Sequence, residues 1–277
     1  MKKILLFLII PILLFGFIIL SKPQNVHNFH KKSNAETSSN LTENKVPMLA
    51  IVIDDFGSYD QSGVNLLLQA KPIITGAVIP STEYTEKNIK DLEDAGCEII
   101  LHMPMQSHVN LPENWYGEVY IRNTDTPETA RMKLSSCLKD FPKIYGFNIH
   151  IGSGVSQNEK LMEAIYNYAK ENNLYFLDSR TIETKATELA CSKTNSIYLG
   201  RDVFLEADKN KSYSGVVFRL KEAANIALTK GYAIAIGHVG AEGGENTAKA
   251  IIDTLPEIEK MGVKIVYLKD IFDMLNS

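Results

Sequence analysis

Five short apolar runs in this 277-residue chain each end in a residue that can hold a metal or move a proton. Leu49-Ala50-Ile51-Val52-Ile53 ends in the carboxylate pair Asp54-Asp55. Three more runs end in His102, His150 and His238, and Leu174-Tyr175-Phe176-Leu177 ends in Asp178. Runs this short, rich in β-branched residues and followed by helical stretches, read as parallel strands buried on both faces. In folds of that kind all strand C-termini open on one face, and that face carries the chemistry. Groups far apart in sequence should therefore converge. Carboxylate plus imidazole, without thiolate, is the ligand set of a hydrolytic metal site.

The rest of the pattern alternates in the same way. Strands are expected at 49–53, 73–79, 98–101, 145–149, 174–177, 196–199, 202–205, 232–237 and 263–268. Helices are expected at 58–70, 84–95, 126–139, 157–172, 214–229 and 246–261, with a short one at the C-terminus. Gly96 and Gly231 close two of them, Thr126-Pro127 opens a third, and Ser156 is the expected N-cap of a fourth. Residues 103–124 read as a long irregular stretch, and those after Asp178 as a looser region. Repeated βα units in this length fit an α/β fold, a complete or irregular (β/α) barrel, for which ~200–250 residues are typical. An open doubly wound sheet is the alternative.

Ahead of this domain lie two different segments. Met1-Lys2-Lys3 precedes Ile4–Leu20, which carries no charge and approaches the length of a minimal membrane span. Residues 1–20 read as an N-terminal hydrophobic helix, an uncleaved membrane anchor through 4–20, with a cleaved signal segment as the alternative. The lysine pair would keep the N-terminus cytoplasmic and place the remainder outside. Residues 21–46 are polar, rich in Asn, Ser, Lys, Thr and His, and read as a flexible linker in which His27 and His30 are solvated. The folded domain is then 47–277. A net charge of -4 argues against a nucleic-acid surface. Cys97, Cys137 and Cys191 lack ligand spacing and read as packing residues. Oligomeric state is not legible.

Adjacent carboxylates repel, so Asp54-Asp55 at a strand end calls for a cation. Successive residues on an extended chain point apart, so one can bind a metal while the other handles protons. No Ser stands in a Gly-x-Ser-x-Gly setting, and Gly240-x-x-Gly243-Gly244 lacks the Lys-Ser/Thr of a phosphate loop. Asp178-Ser179-Arg180-Thr181 and Gly200-Arg201-Asp202 add polar groups at the same face. Within the stretch after His102, residues 106–122 are expected to wall the substrate cleft. They hold the only tryptophan, Trp115, beside Tyr116. Either ring can serve as a sugar platform, and Trp115 can equally anchor the loop.

Six motifs occur in order: Ile-Asp-Asp-Phe-Gly, Leu-His-Met-Pro-Met, Asn-x-His-x-Gly-Ser, Leu-Asp-Ser-Arg-Thr, Arg-Asp-Val-Phe-Leu and Ile-Gly-His. Together they resemble the divergent polysaccharide deacetylases, a branch of the NodB-like carbohydrate esterases, over essentially all of 47–277. The resemblance implies an irregular (β/α) barrel of the NodB-like type and a divalent metal ion, Zn2+ by preference. It implies removal of acetyl groups from an envelope or extracellular carbohydrate polymer or oligosaccharide. Carried over by position, Asp54 is the catalytic base, Asp55, His102 and His150 the metal ligands, and His238 the general acid. Trp115, Tyr116, Asp178, Arg180 and Arg201 are candidate substrate contacts. Two departures stand out. Gln106 occupies a position where the wider group has a second histidine, and Asn148–Ser153 replaces an Arg-Pro-x-aromatic motif. These leave a second reading open: a degenerate, membrane-tethered carbohydrate-binding or envelope-assembly protein on the same fold.

Overall fold

The computed structural model describes residues 46–208 and 211–277. The segments 1–20 and 21–45, with His27 and His30, lie outside the described residues. Nine strands follow in chain order: β1 (Met48–Phe56), β2 (Thr75–Val78), β3 (Glu98–Met105), β4 (Gly146–Ile151), β5 (Tyr175–Asp178), β6 (Leu199–Gly200), β7 (Val203–Phe204), β8 (Tyr232–His238) and β9 (Lys264–Val266). All their pairings are parallel, in the order β6-β5-β4-β3-β2-β1-β8-β7. β9 pairs with Met48–Ala50 of β1, along the edge that β2 takes over from Val52 onward. The two ends of this curled sheet belong to one segment. Leu199-Gly200 pairs with β5, Val203-Phe204 pairs with β8, and only Arg201-Asp202 lies between. The ring is thus completed by the covalent chain, as an irregular barrel.

Helices α1 (Val64–Gln69), α2 (Thr85–Ala95), α3 (Pro127–Cys137), α4 (Glu159–Glu171), α5 (Ala186–Lys193), α6 (Tyr213–Lys230), α7 (Gly244–Lys260) and α8 (Leu268–Asn276) complete the alternation. Thr126 caps α3 by accepting from the Thr129 N–H, with Pro127 in the first turn. Asn158, not Ser156, caps α4, because the Ser156 hydroxyl is committed to the Gly152 carbonyl at 2.9 Å. α1 is shorter than the pattern predicts. Gly57 and Gly63 adopt positive φ, and Asp60 accepts from Ser62 N–H and Oγ, so the chain turns before it winds. α5 falls in the region that read as loose. β3 runs on through Pro104 to Met105, where its carbonyls still accept from Ile121 and Gly152.

Strand alternation sorts the core into two clusters. Leu49, Ile51, Ile53, Leu101, Met103, Phe147, Ile149, Ala233 and Ala235 pack outward against the helices. Ala50, Val52, Ala77, Ile100, Tyr175, Leu177, Leu199, Ile234 and Ile236 fill the interior. Val266, Leu268 and Ile271 join that interior cluster, so α8 plugs the end at which the strands begin. Its seat is polar at one point, where the Leu268 N–H donates to Thr75 Oγ1 and Thr75 donates to Glu98. Cys97, Cys137 and Cys191 are free, and burial raises the Cys97 and Cys137 thiols to about 11, as packing residues require.

Candidate active site

The same alternation builds the site. Ala50 and Val52 face the interior, so Asp54, two residues on, faces it as well. Ile100 leads to His102, and Ile234 and Ile236 lead to His238. On β4, Phe147 and Ile149 point outward, which leaves Asn148 and His150 on the inner wall. Asp55 has the wrong parity for that wall. Its φ of 67° breaks the alternation and returns its carboxylate to the cluster. That conformation is uncommon for a residue other than glycine and marks a position held by its surroundings.

Asp55 Oδ1 lies 3.2 Å from His150 Nδ1 and 3.4 Å from His102 Nε2. All three ligand atoms fall within 4.8 Å of one another. Tetrahedral ligands bound at about 2.1 Å are separated by about 3.4 Å, so the two spacings to Asp55 are those of a metal's donor set, and a bound ion would draw the two imidazole nitrogens within about 4.2 Å of each other. Asp55 Oδ1 is also buried without a hydrogen-bond partner among the described residues. An orphaned carboxylate oxygen facing two imidazole nitrogens fits a divalent cation. One carboxylate and two imidazoles leave a coordination position open, as hydrolytic sites do.

Asp54 lies beside this trio. Its Oδ2 is 3.8 Å from His102 Nε2 and 4.0 Å from His238 Nε2, and its Oδ1 accepts from Asn148 Nδ2 at 2.7 Å. His238 Nδ1 contacts Glu206 Oε2 at 3.0 Å, and the His238 backbone N–H donates to Glu206 Oε1 at 2.9 Å. Thr247 Oγ1 donates to the same Glu206 oxygen at 2.6 Å, so a buried carboxylate sets both the backbone and the ring of His238. The Phe204 ring meets the imidazole edge-on at 5.2 Å.

Burial dominates at Asp54 and raises its carboxyl above the usual range, against the pull of His102, His238 and Asn148. Burial also acts upward on Asp55, but His102 and His150 outweigh it and hold Asp55 well below the carboxylate range. At His238 desolvation would favour the neutral ring. Glu206 and the two aspartates override it and lift the imidazole to about 9. The site thus sorts its neighbouring aspartates into one weak and one strong acid, and faces the weak one with a protonated histidine.

The structure brings Asp54, Asp55, His102, His150 and His238 together as the strand ends imply. It treats the flanking candidates differently. Trp115 sits in a short 3-10 turn, Glu113–Trp115, where the residue is 57% exposed, and its carbonyl lies 3.3 Å from His150 Nε2. Tyr116 is not available as a platform. It is 3% exposed, stacks on Tyr120 at 4.5 Å, and its hydroxyl accepts the Ser107 N–H. Asp178 follows the inward Leu177, so it faces away from the interior. There it is buried between the Arg180 N–H and the Tyr198 hydroxyl and serves the wall, not a ligand. Arg180 braces the Arg201 carbonyl and Tyr198 from an exposed position. Arg201 is clamped by the carbonyls of Ser179 and Arg180 and lies close enough to Asp54 for their charges to interact. Gln106 is turned to the loop, where its Oε1 accepts the Asn123 N–H, and His150 is the second imidazole beside Asp55.

A model of the divergent polysaccharide deacetylase family matches residues 51–272. The chain belongs to that family. The match covers every site residue above. An uncharacterised protein of Escherichia coli K12, YibQ, is 32% identical over 198 residues, which is 69% of this chain and 58% of that one. The chain therefore spans little more than half the length of that relative. An uncharacterised protein of Haemophilus influenzae Rd is 30% identical over 218 residues, 77% of this chain and 73% of its own. Among solved structures, the uncharacterised protein ATU2773 of Agrobacterium tumefaciens C58 shares the fold. Its TM-score is 0.74 at 18% identity, over 83% of this chain and 91% of that one.

Two residues of the site escape a reading of strand ends. Asn148 stands inside a strand, where an amide looks like an interruption. Glu206 follows Val203-Phe204-Leu205, a run too short to stand out, although a carboxylate closes it just as one closes β1.

Proposed function

We propose that this domain is a metal-dependent hydrolase that removes acetyl groups from an envelope or extracellular carbohydrate. The observation that carries this reading is the partition of the cluster. Asp55, His102 and His150 converge on one point, and Asp54 and the Glu206-bound His238 flank it. Asp55, His102 and His150 would hold the cation, for which Zn2+ suits a set of two imidazoles and one carboxylate. When bound, the metal lowers the pKa of water to roughly 7 and polarises the acyl oxygen. Asp54, its proton affinity raised by burial, takes the proton of the attacking water. His238, protonated at neutral pH, gives a proton to the departing amine or alkoxide as the bond to the acetyl carbon breaks. Trp115, exposed beside His150, offers a flat face to a sugar ring.

Acetate release from a panel of N- and O-acetylated glycans, with and without chelation and zinc restoration, tests the reading. Release that chelation abolishes and zinc restores is expected. Stoichiometric zinc and glycan binding without acetate release would replace it with the carbohydrate-binding reading.

We further propose that residues 4–20 hold the domain in the cell envelope, on the extracytoplasmic side of the cytoplasmic membrane and tethered to it. Among the described residues no helix is long and apolar enough to cross a membrane, and the proposal rests on the uncharged run Ile4–Leu20 behind Lys2-Lys3. A soluble product whose N-terminus lies at or beyond residue 21 would show cleavage instead.

A further inference from the structure

We propose that Asn148 is a positioning residue that sets a metal ligand and the proton acceptor together through the two ends of one amide. Asn148 is fully buried on the inner wall, between His102 and Asp54. Its Nδ2 donates to Asp54 Oδ1 at 2.7 Å, and its Oδ1 meets His102 Nδ1 at 2.7 Å.

The order of donors and acceptors follows from chemistry alone. An ionised carboxylate only accepts, so the amide nitrogen must face Asp54. That leaves the amide oxygen for the imidazole, and an oxygen only accepts, so His102 Nδ1 must carry the proton. In the neutral ring His102 Nε2 is then the bare nitrogen, and it is the one 3.4 Å from Asp55 Oδ1. Asn148 therefore presets the tautomer a cation needs before any cation arrives. Its other end leaves Asp54 Oδ2 as the oxygen turned toward His238 Nε2. Second partners of this kind fix ring orientation and ligand basicity at metal sites. Here one side chain serves both the ligand and the base.

An amide is needed, because neither end tolerates the other's chemistry. Asn148→Asp keeps an acceptor for His102 but sets a second carboxylate against Asp54, and two carboxylates that close share a proton. Asn148→Ala removes both ends. The two substitutions thus separate zinc affinity from turnover. The claim about turnover rests on the hydrolase reading above, whereas the claim about the tautomer does not.

The test uses 15N NMR of the histidine rings in the metal-free protein, zinc affinity by competition with a chelator, and acetate release. The His102 nitrogens should report a proton on Nδ1 and a bare Nε2 in the unsubstituted chain, read at a pH where the ring is neutral. Asn148→Asp should hold zinc within about threefold of the parent and lose turnover about 100-fold or more. Asn148→Ala should weaken zinc about 10–100-fold. A neutral His102 ring protonated at Nε2 and bare at Nδ1, or equal zinc affinity in all three proteins, overturns the proposal. The NMR measurement needs no substitution, so it decides even where the alanine variant does not fold. Should the unsubstituted chain release no acetate while tautomer and affinities behave as expected, the hydrolase reading fails and the tautomer role of Asn148 stands.

Discussion

Asp54 and Asp55 are adjacent in sequence and opposite in chemistry. One is held above the carboxylate range by burial, the other far below it by two imidazoles. Asp54→Asn should keep zinc at full stoichiometry and lose turnover by about 10²–10⁴, the span of a positioned general base. Metal analysis beside acetate release checks this, and loss of zinc would reverse the aspartate roles. Across the site, Glu206 decides the state of His238. In the role proposed for it, His238 must be protonated, so the rate should fall as pH rises through its pKa of about 9. Glu206→Gln keeps an oxygen for the His238 N–H and Thr247 but removes the charge beside Nδ1. The basic limb of the pH–rate profile should then move down by a unit or more, and an NMR titration of His238 should show the same fall. The linkage has a stability side. A histidine whose folded pKa is raised contributes stability that is complete below about 6.5 and is lost as pH climbs through about 9. Glu206→Gln should flatten that decline, as denaturant midpoints from pH 6 to 10 would show.

At the scale of elements, the sheet places the cluster through its period of two, and the turns correct the exceptions. β4 is the case in point. His150 ends an inward series, after which Ile151 at φ 63° and Gly152 at φ 58° reverse the chain toward Gly154 and α4. A Cβ on Gly152 would run into Ile149 Cγ2 and crowd Met105. Gly152→Ala should destabilise the domain by about 1–3 kcal/mol through overpacking and strain, read from urea unfolding. Because His150 lies two residues away, zinc affinity should weaken as well. These turns also explain what could be read from the sequence. Apolar runs ending in Asp or His reveal strands, their shared direction and five members of the cluster, because burial on both faces leaves a continuous hydrophobic signature. The positive φ of Asp55 leaves no such trace, since any residue type conceals it. Asn148 and Glu206 act through partners on other strands, and the burial of Tyr116 depends on its stack with Tyr120 and its bond to Ser107. Such facts are tertiary, and a linear pattern carries them only where a family motif has recorded them.

Across the described domain, α8 packs at the end of the barrel where the strands begin, and the Asp-His cluster gathers at the other end. The wall around that cluster is uneven. β1 is hydrogen-bonded along both edges, to β8 on one side and to β2 and β9 on the other. On the far side of β8, residues 199–204 give two residues to each neighbour, joined by the backbone bonds of Arg201 to Asp178 and Asp202 to Ile234. The inward set shifts within this segment, since Leu199 faces the interior while Val203 and Leu205 face the helices. Native-state hydrogen exchange should therefore be faster for the amides of Arg201, Asp202 and Leu205 than for those of β1, because local opening begins where the fewest bonds must break. Like a cask, this protein is only as tight as its narrowest stave. That stave leads straight into Glu206, so the first plank to loosen takes with it the charge that keeps His238 protonated.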